Sequence, residues 1–170
     1  ITTGAAGQLA WEDAADAFAA AIAPTLDEAR TRGLTVAVEH TNGLRFDISF
    51  LHSLRDAVDL AQQVGFRVCM EINNAWGERA LGETIARGAR DLRIVQLNDF
   101  VVGTFATPDR AVPGDGDIPL ERIVGQLLRA GYAGPFELEV IGPRIDQEGY
   151  ESAVPRSLAY LTALLEKLGA

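Results

Sequence analysis

Four short segments of this chain carry apolar residues at alternate positions, and each stops on a polar side chain: LTVAVEHTN at Glu39, RVCMEINN at Glu71, RIVQLND at Gln96 and FELEV at Glu139. Side chains of a β-strand alternate between faces. Each terminal polar residue therefore shares a side with Ala37, Cys69, Ile94 or Glu137, while Val36, Val38, Val68, Met70, Val95, Leu97, Phe136 and Leu138 point the other way. Such a chain packs one face of its sheet and keeps the other for polar groups. Three carboxylates and a carboxamide gathered at the carboxyl ends of successive parallel strands form a pocket suited to a divalent metal or to proton transfer.

Between these strands the apolar spacing turns helical. Trp11, Ala15, Phe18, Ile22, Leu26 and Ala29 predict a first helix, with a kink at Pro24 and a stop at Gly33. Ser49 is expected to cap a second helix with the stripe Leu51, Leu54, Val58 and Ala61, closed by Gly65. A weaker helix is expected from Glu78 to Arg87, where Gly82 and Gly88 oppose it. Pro119 opens a helix carrying Leu120, Ile123, Leu127 and Leu128, and a last helix presents Leu158, Leu161, Leu165 and Leu168. Phe100 to Asp117 is long for a βα connection and is a candidate functional loop.

Strands that alternate with helices demand right-handed crossovers and a parallel sheet. No GxGxxG or GxxxxGK[ST] fingerprint follows the first strand, so dinucleotide and P-loop readings lack their defining feature. Polar strand ends instead favour a (β/α)8 TIM barrel, which places its reacting groups at the carboxyl ends of several strands.

The chain has 170 residues, 48% of them hydrophobic, enough to bury a core as one domain or part of one. Its formal charge of −9 and the lack of any Lys/Arg run disfavour nucleic acid or anionic membrane as partner. No apolar stretch is long enough to span a bilayer. The single Cys69 is expected to be a small core residue, and the cytoplasm is the expected compartment. ITTG at the start reads as the tail of a strand entering a Gly-rich turn.

In this order the segments AVEHTN, CMEINN, IVQLND, RAVPGDGDIPL and GYAGPFELEV resemble the xylose-isomerase-like superfamily, which includes ketose 3-epimerases, inosose dehydratases and an apurinic-endonuclease branch. The resemblance covers nearly the whole chain. It implies that residues 1–170 are the C-terminal part of a single TIM-barrel domain, from the end of strand 4 through helix 8. It gives Glu39 and Glu139 roles as metal ligands and as the proton-transfer pair on opposite faces of an enediolate. Glu71 stands where the family usually has Asp, and Gln96 where it often has His. These two would complete a site for a divalent metal, magnesium or manganese. The longer carboxylate shifts the metal, and a neutral amide, acceptable to magnesium or calcium, is a poorer ligand than imidazole for manganese, cobalt or zinc. Asn74 replaces a family histidine that contacts substrate, and Arg110 matches an arginine that reaches a substrate oxygen.

Simpler roles stand beside these. A strand-end acid also serves as a helix cap or a solvated loop residue, and a strand-end amide often only satisfies backbone groups. Asn73 reads as a turn residue. His40 lies on the face opposite Glu39 and reads as a structural contact; His52 is expected in a helix, exposed. Trp76 is a candidate wall for a sugar pocket. Glu137 shares the face of Glu139 one layer deeper, where burial raises a carboxyl's pKa unless a bulge turns it outward or a cation such as Arg144 pairs with it. Arg144 is equally a candidate substrate contact.

The expected activity is metal-assisted isomerisation or epimerisation of a small sugar or polyol-derived carbonyl compound, with an inosose-type dehydratase or a non-catalytic sugar-binding barrel as the alternatives. Four strands and the end of another cannot close an eight-stranded barrel, so an N-terminal half-barrel or a second copy is expected against the open edges. Sedimentation of the isolated 170-residue chain is expected to show dimers or larger species. A well-behaved monomer with a closed barrel would contradict this register.

Overall fold

The computed structural model describes residues 1–170. Its elements are α1 (Trp11–Thr31), β1 (Ala37–Glu39), α2 (Leu54–Val64), β2 (Arg67–Glu71), α3 (Ile72–Ala75), α4 (Leu81–Gly88), β3 (Leu92–Leu97), α5 (Leu120–Arg129), β4 (Phe136–Leu138), α6 (Pro143–Glu148) and α7 (Tyr150–Leu168). The four strands form one parallel sheet in the order β1-β2-β3-β4. Ile1 extends it as a fifth strand would: its ammonium donates to the Ala37 carbonyl at 3.0 Å, and the Glu39 N–H donates to the Ile1 carbonyl at 2.8 Å. These two bonds follow the parallel pattern.

One face of the sheet and the helices enclose a single main core. Val38, Val68, Met70, Val95 and Leu97 contribute from the strands; Leu54, Ala57, Val58 and Ala61 from α2; Ile123, Val124 and Leu127 from α5. The opposite face carries Glu39, Cys69, Glu71, Gln96 and Glu137, with Glu39 level with Cys69, and Gln96 level with both Glu71 and Glu137. Arg93 is the extra residue of a register shift between β2 and β3, which brings Leu92 to the core side beside Val95.

Several local expectations shift. The cap of α2 is Ser53, whose hydroxyl accepts the Asp56 N–H at 3.0 Å. Ser49 is buried and folds back on the Leu51 N–H, so Leu51 precedes the helix although it continues the apolar stripe. His52 lies outside any helix and is half-buried, its ring centroid 4.1 Å from that of Phe46 with the planes tilted by 53°. Asn73 and Asn74 belong to the single helical turn α3 instead of an open turn. Helix α1 runs through Pro24 to Thr31. In α7 the buried stripe is Ala153, Ser157, Leu161 and Leu164, and Leu158 faces outward. No helix is long and apolar enough to cross a membrane.

Gly88 shows why α4 tolerates a poor helix former. A Cβ built there would lie 2.6 Å from Val58 Cγ2 and 2.9 Å from Cγ1, so α2 and α4 meet over a hydrogen atom. Gly88→Ala gains at most about 1 kcal/mol of helix propensity and meets an overpacking penalty of about 1–3 kcal/mol. Net destabilisation is expected in denaturant titrations, relieved by the double change V58A/G88A. A single variant as stable as wild type would show that Val58 yields freely.

Candidate active site

The carboxyl ends of the strands converge on a cavity of about 210 Å³, lined by Glu39, Glu139, Arg110 and Asn74 together with Thr2, Thr41, Asn42, Arg45 and others. Larger hollows exist, such as one of about 520 Å³ beside Pro24 and Leu34. They lie away from the strand ends that bring the carboxylates together.

Glu39 ends β1 and is half-buried. Burial, and then repulsion from Glu139, holds its carboxyl above the usual carboxylate range. Glu139 follows β4, its N–H donating to the Leu97 carbonyl at 3.2 Å. Glu71 ends β2, is fully buried and does not line the cavity. Its Oε1 accepts the Asn73 N–H and the Asn98 amide, both at 2.9 Å; its Oε2 accepts Arg110 Nη2 at 2.5 Å. Burial is the largest influence on this carboxyl and pushes it up, against the pull of Arg110. All these partners are donors, so the ionised form is the one with every oxygen satisfied.

Arg110 links Glu71 to Glu139. The same Nη2 lies 3.4 Å from Glu139 Oε2, and the side chain is only 8% exposed. Its backbone is pinned: Arg110 N–H donates to the Ile141 carbonyl, and Ala111 exchanges both backbone bonds with Asp99. Asp99 in turn is the organiser of the long loop. Its buried carboxylate accepts the N–H groups of Phe100, Gly114, Gly116 and Ile118, and a Cβ at Gly116 would strike it at 2.4 Å.

The remaining candidates separate. Asn74 lines the cavity, and its Nδ2 donates to the His40 carbonyl at 3.1 Å. Gln96 Nε2 donates to Glu137 Oε2 at 3.2 Å, so the exposed Glu137 takes Gln96 as its partner instead of Arg144. Trp76 packs half-buried against the main core, not on the cavity wall. Arg144 is exposed on α6, beside a different hollow with Asp115 and Glu148. Asn98 and Asp99 are the site-building residues that strand-end reasoning passes over; the polar pair directly after Leu97 was their only signal.

The donor set suits a hard divalent cation. It consists of carboxylate and carboxamide oxygens, and Gln96 Oε1 is a buried acceptor with no donor. Glu39 and Glu139 on the cavity wall, with the buried Glu71 and with Gln96, neither of which lines it, are the candidates that would hold it. No three acidic, histidine or cysteine side chains converge at ligand distance. The guanidinium of Arg110 lies on Glu71 and Glu139 instead.

A parallel sheet backed by helices, with acids at the ends of its strands, defines a half-barrel-sized unit of the (β/α)8 class. The sequence matches the xylose isomerase-like TIM barrel family over residues 2–164, and the chain belongs to that family. Similar solved structures include protein SMc04130 from Sinorhizobium meliloti 1021, at 24% identity and TM-score 0.77 over 92% of this chain and 62% of that one. The IOLI protein with a bound zinc atom aligns at 17% identity and TM-score 0.79, over 97% of this chain and 61% of its own. D-Psicose 3-epimerase with D-tagatose, from Clostridium cellulolyticum H10, aligns at 19% identity and TM-score 0.73, over 95% and 58% respectively. The chain thus spans about three fifths of the length of these structures. No curated protein sequence matches it.

His40, between Glu39 and the cavity-lining Thr41, generates a pH prediction. It is fully buried and neither ring nitrogen has a partner; burial, then repulsion from His52, lowers its pKa from 6.5 to about 4. Between those values the unfolded chain binds a proton that the folded chain refuses, so this contribution to stability is present above pH 6.5 and is lost as pH falls toward 4. The loss amounts to about 3 kcal/mol in all, at about 1.4 kcal/mol per pH unit. Urea unfolding of wild type should therefore steepen below pH 6.5 relative to His40→Gln. Parallel profiles would mean that the imidazole finds a proton acceptor or water.

Proposed function

We propose that the site serves a metal-assisted isomerase or epimerase acting on a small polyhydroxylated ketone or aldehyde through an enediolate, with Glu39 and Glu139 as the acid/base pair. One observation supports this most strongly. Glu39 and Glu139, contributed from the opposite edge strands of the sheet, line the same cavity with Arg110. The family membership and the similarity to D-psicose 3-epimerase support the same reading.

A divalent cation, magnesium or manganese by the oxygen character of its ligands, would supply Lewis acidity toward the substrate carbonyl. The chain's own residues do the rest. Glu39, with its carboxyl raised by burial, is suited to abstract the proton beside the carbonyl. Glu139 returns a proton to the opposite face. Asn74 has its Oδ1 buried and unpartnered, ready to accept a substrate hydroxyl, and Arg110 holds a substrate oxygen.

Glu39→Gln and Glu139→Gln should each keep the fold and lower solvent-deuterium incorporation into ketose substrates by about 10²–10⁴-fold. Exchange retained in both variants would sink the two-glutamate mechanism. Loss of a β-hydroxyl from the product in wild type would identify a dehydratase.

A further inference from the structure

Arg110 holds the positive charge closest to Glu71 and Glu139, with Nη2 at 2.5 and 3.4 Å from their carboxylate oxygens. The other arginine on the cavity, Arg45, is already forked onto Asp47 at 2.9 and 3.0 Å and offers those carboxylates nothing. Without Arg110, Glu71 would be a fully buried anion with only neutral donors around it. The guanidinium is nevertheless imperfectly housed, because its Nε is buried without a partner. The backbone beside it is held by Ile141 and by the Asp99–Ala111 pair, so only the side chain is free to change place.

We infer that Arg110 is a built-in counter-cation that competes with a divalent metal ion for Glu71 and Glu139, and that the metal enters as the guanidinium swings off them into the cavity it already lines. This rests on the cation in the proposed function, not on the two-glutamate proton transfer. One positive group replaces another on the same oxygens, so the buried carboxylate is never left unpaired. The released guanidinium then faces the substrate space, which orders the events: metal first, substrate oxygen second.

Manganese titration of the intact protein, followed by loss of the free-ion paramagnetic resonance signal, tests the competition without turnover. Arg110→Met, with its fold checked by circular dichroism, is expected to bind Mn²⁺ at least ~10-fold more tightly than wild type, the scale expected when a directly competing charge is removed. Equal or weaker binding in a folded variant overturns the inference. Should that variant fail to fold, E71Q/R110M replaces the buried pair by neutral groups and is compared with E71Q. Tighter Mn²⁺ binding by the double variant supports competition at Glu139, and equal binding overturns it. Loss of deuterium exchange in the Glu39 and Glu139 variants alongside no manganese effect would remove this inference alone.

Discussion

The ion pair between Arg110 and Glu71 is the contact on which the site depends, because it joins an element of the sheet to an element of the loops. Glu71 is carried by β2 and is fully buried; Arg110 comes from the connection after β3 and is nearly so. Removing one partner of such a pair leaves an uncompensated buried charge, at about 3–5 kcal/mol. The same guanidinium reaches toward Glu139, so the ends of β2 and β4, which are not neighbours in the sheet, are tied through one side chain.

That tie works only because the loop is rigid where Arg110 leaves it. Asp99 gathers four backbone N–H groups from the connection and pairs with Ala111, which sets the direction of residue 110. A long stretch with neither helix nor strand is thereby given fixed hydrogen-bond partners. The β-sheet then supplies the stagger. Glu39 sits level with Cys69, one pleat before Glu71, and Glu139 follows one pleat beyond Glu137, which is level with Gln96 and Glu71, so the acids are staggered along the strands instead of forming a flat ring. Glu39 and Glu139 line the cavity, and Glu71, buried and off its wall, holds Arg110.

Much of this was legible in the residues. Period-two alternation identified all four strands and the face on which Glu39, Glu71, Gln96 and Glu137 lie, since a strand's two faces are distinguished by sequence alone. Gly65 as a helix stop and Pro119 at a helix start were legible because their backbone preferences are local. The errors fell where a local signal had a tertiary rival. Leu51 continues a helical stripe, yet its carbonyl accepts the Thr41 N–H, and Ser53 takes the cap that Ser49 was expected to hold. Arg144 and Trp76 sit close in sequence to strand ends, but α6 and the core direct them elsewhere.

The sequence by itself determined the alternating strands and helices, the parallel sheet and the placement of three glutamates and a glutamine at strand ends, because periodicity and terminal position are properties of adjacent residues. Only the tertiary structure decided which of these groups share a cavity, which is buried off its wall, and that Arg110 binds Glu71 and approaches Glu139. Those outcomes depend on strand stagger and on a loop folded around Asp99, both set by contacts between residues far apart in the chain, which no local pattern encodes.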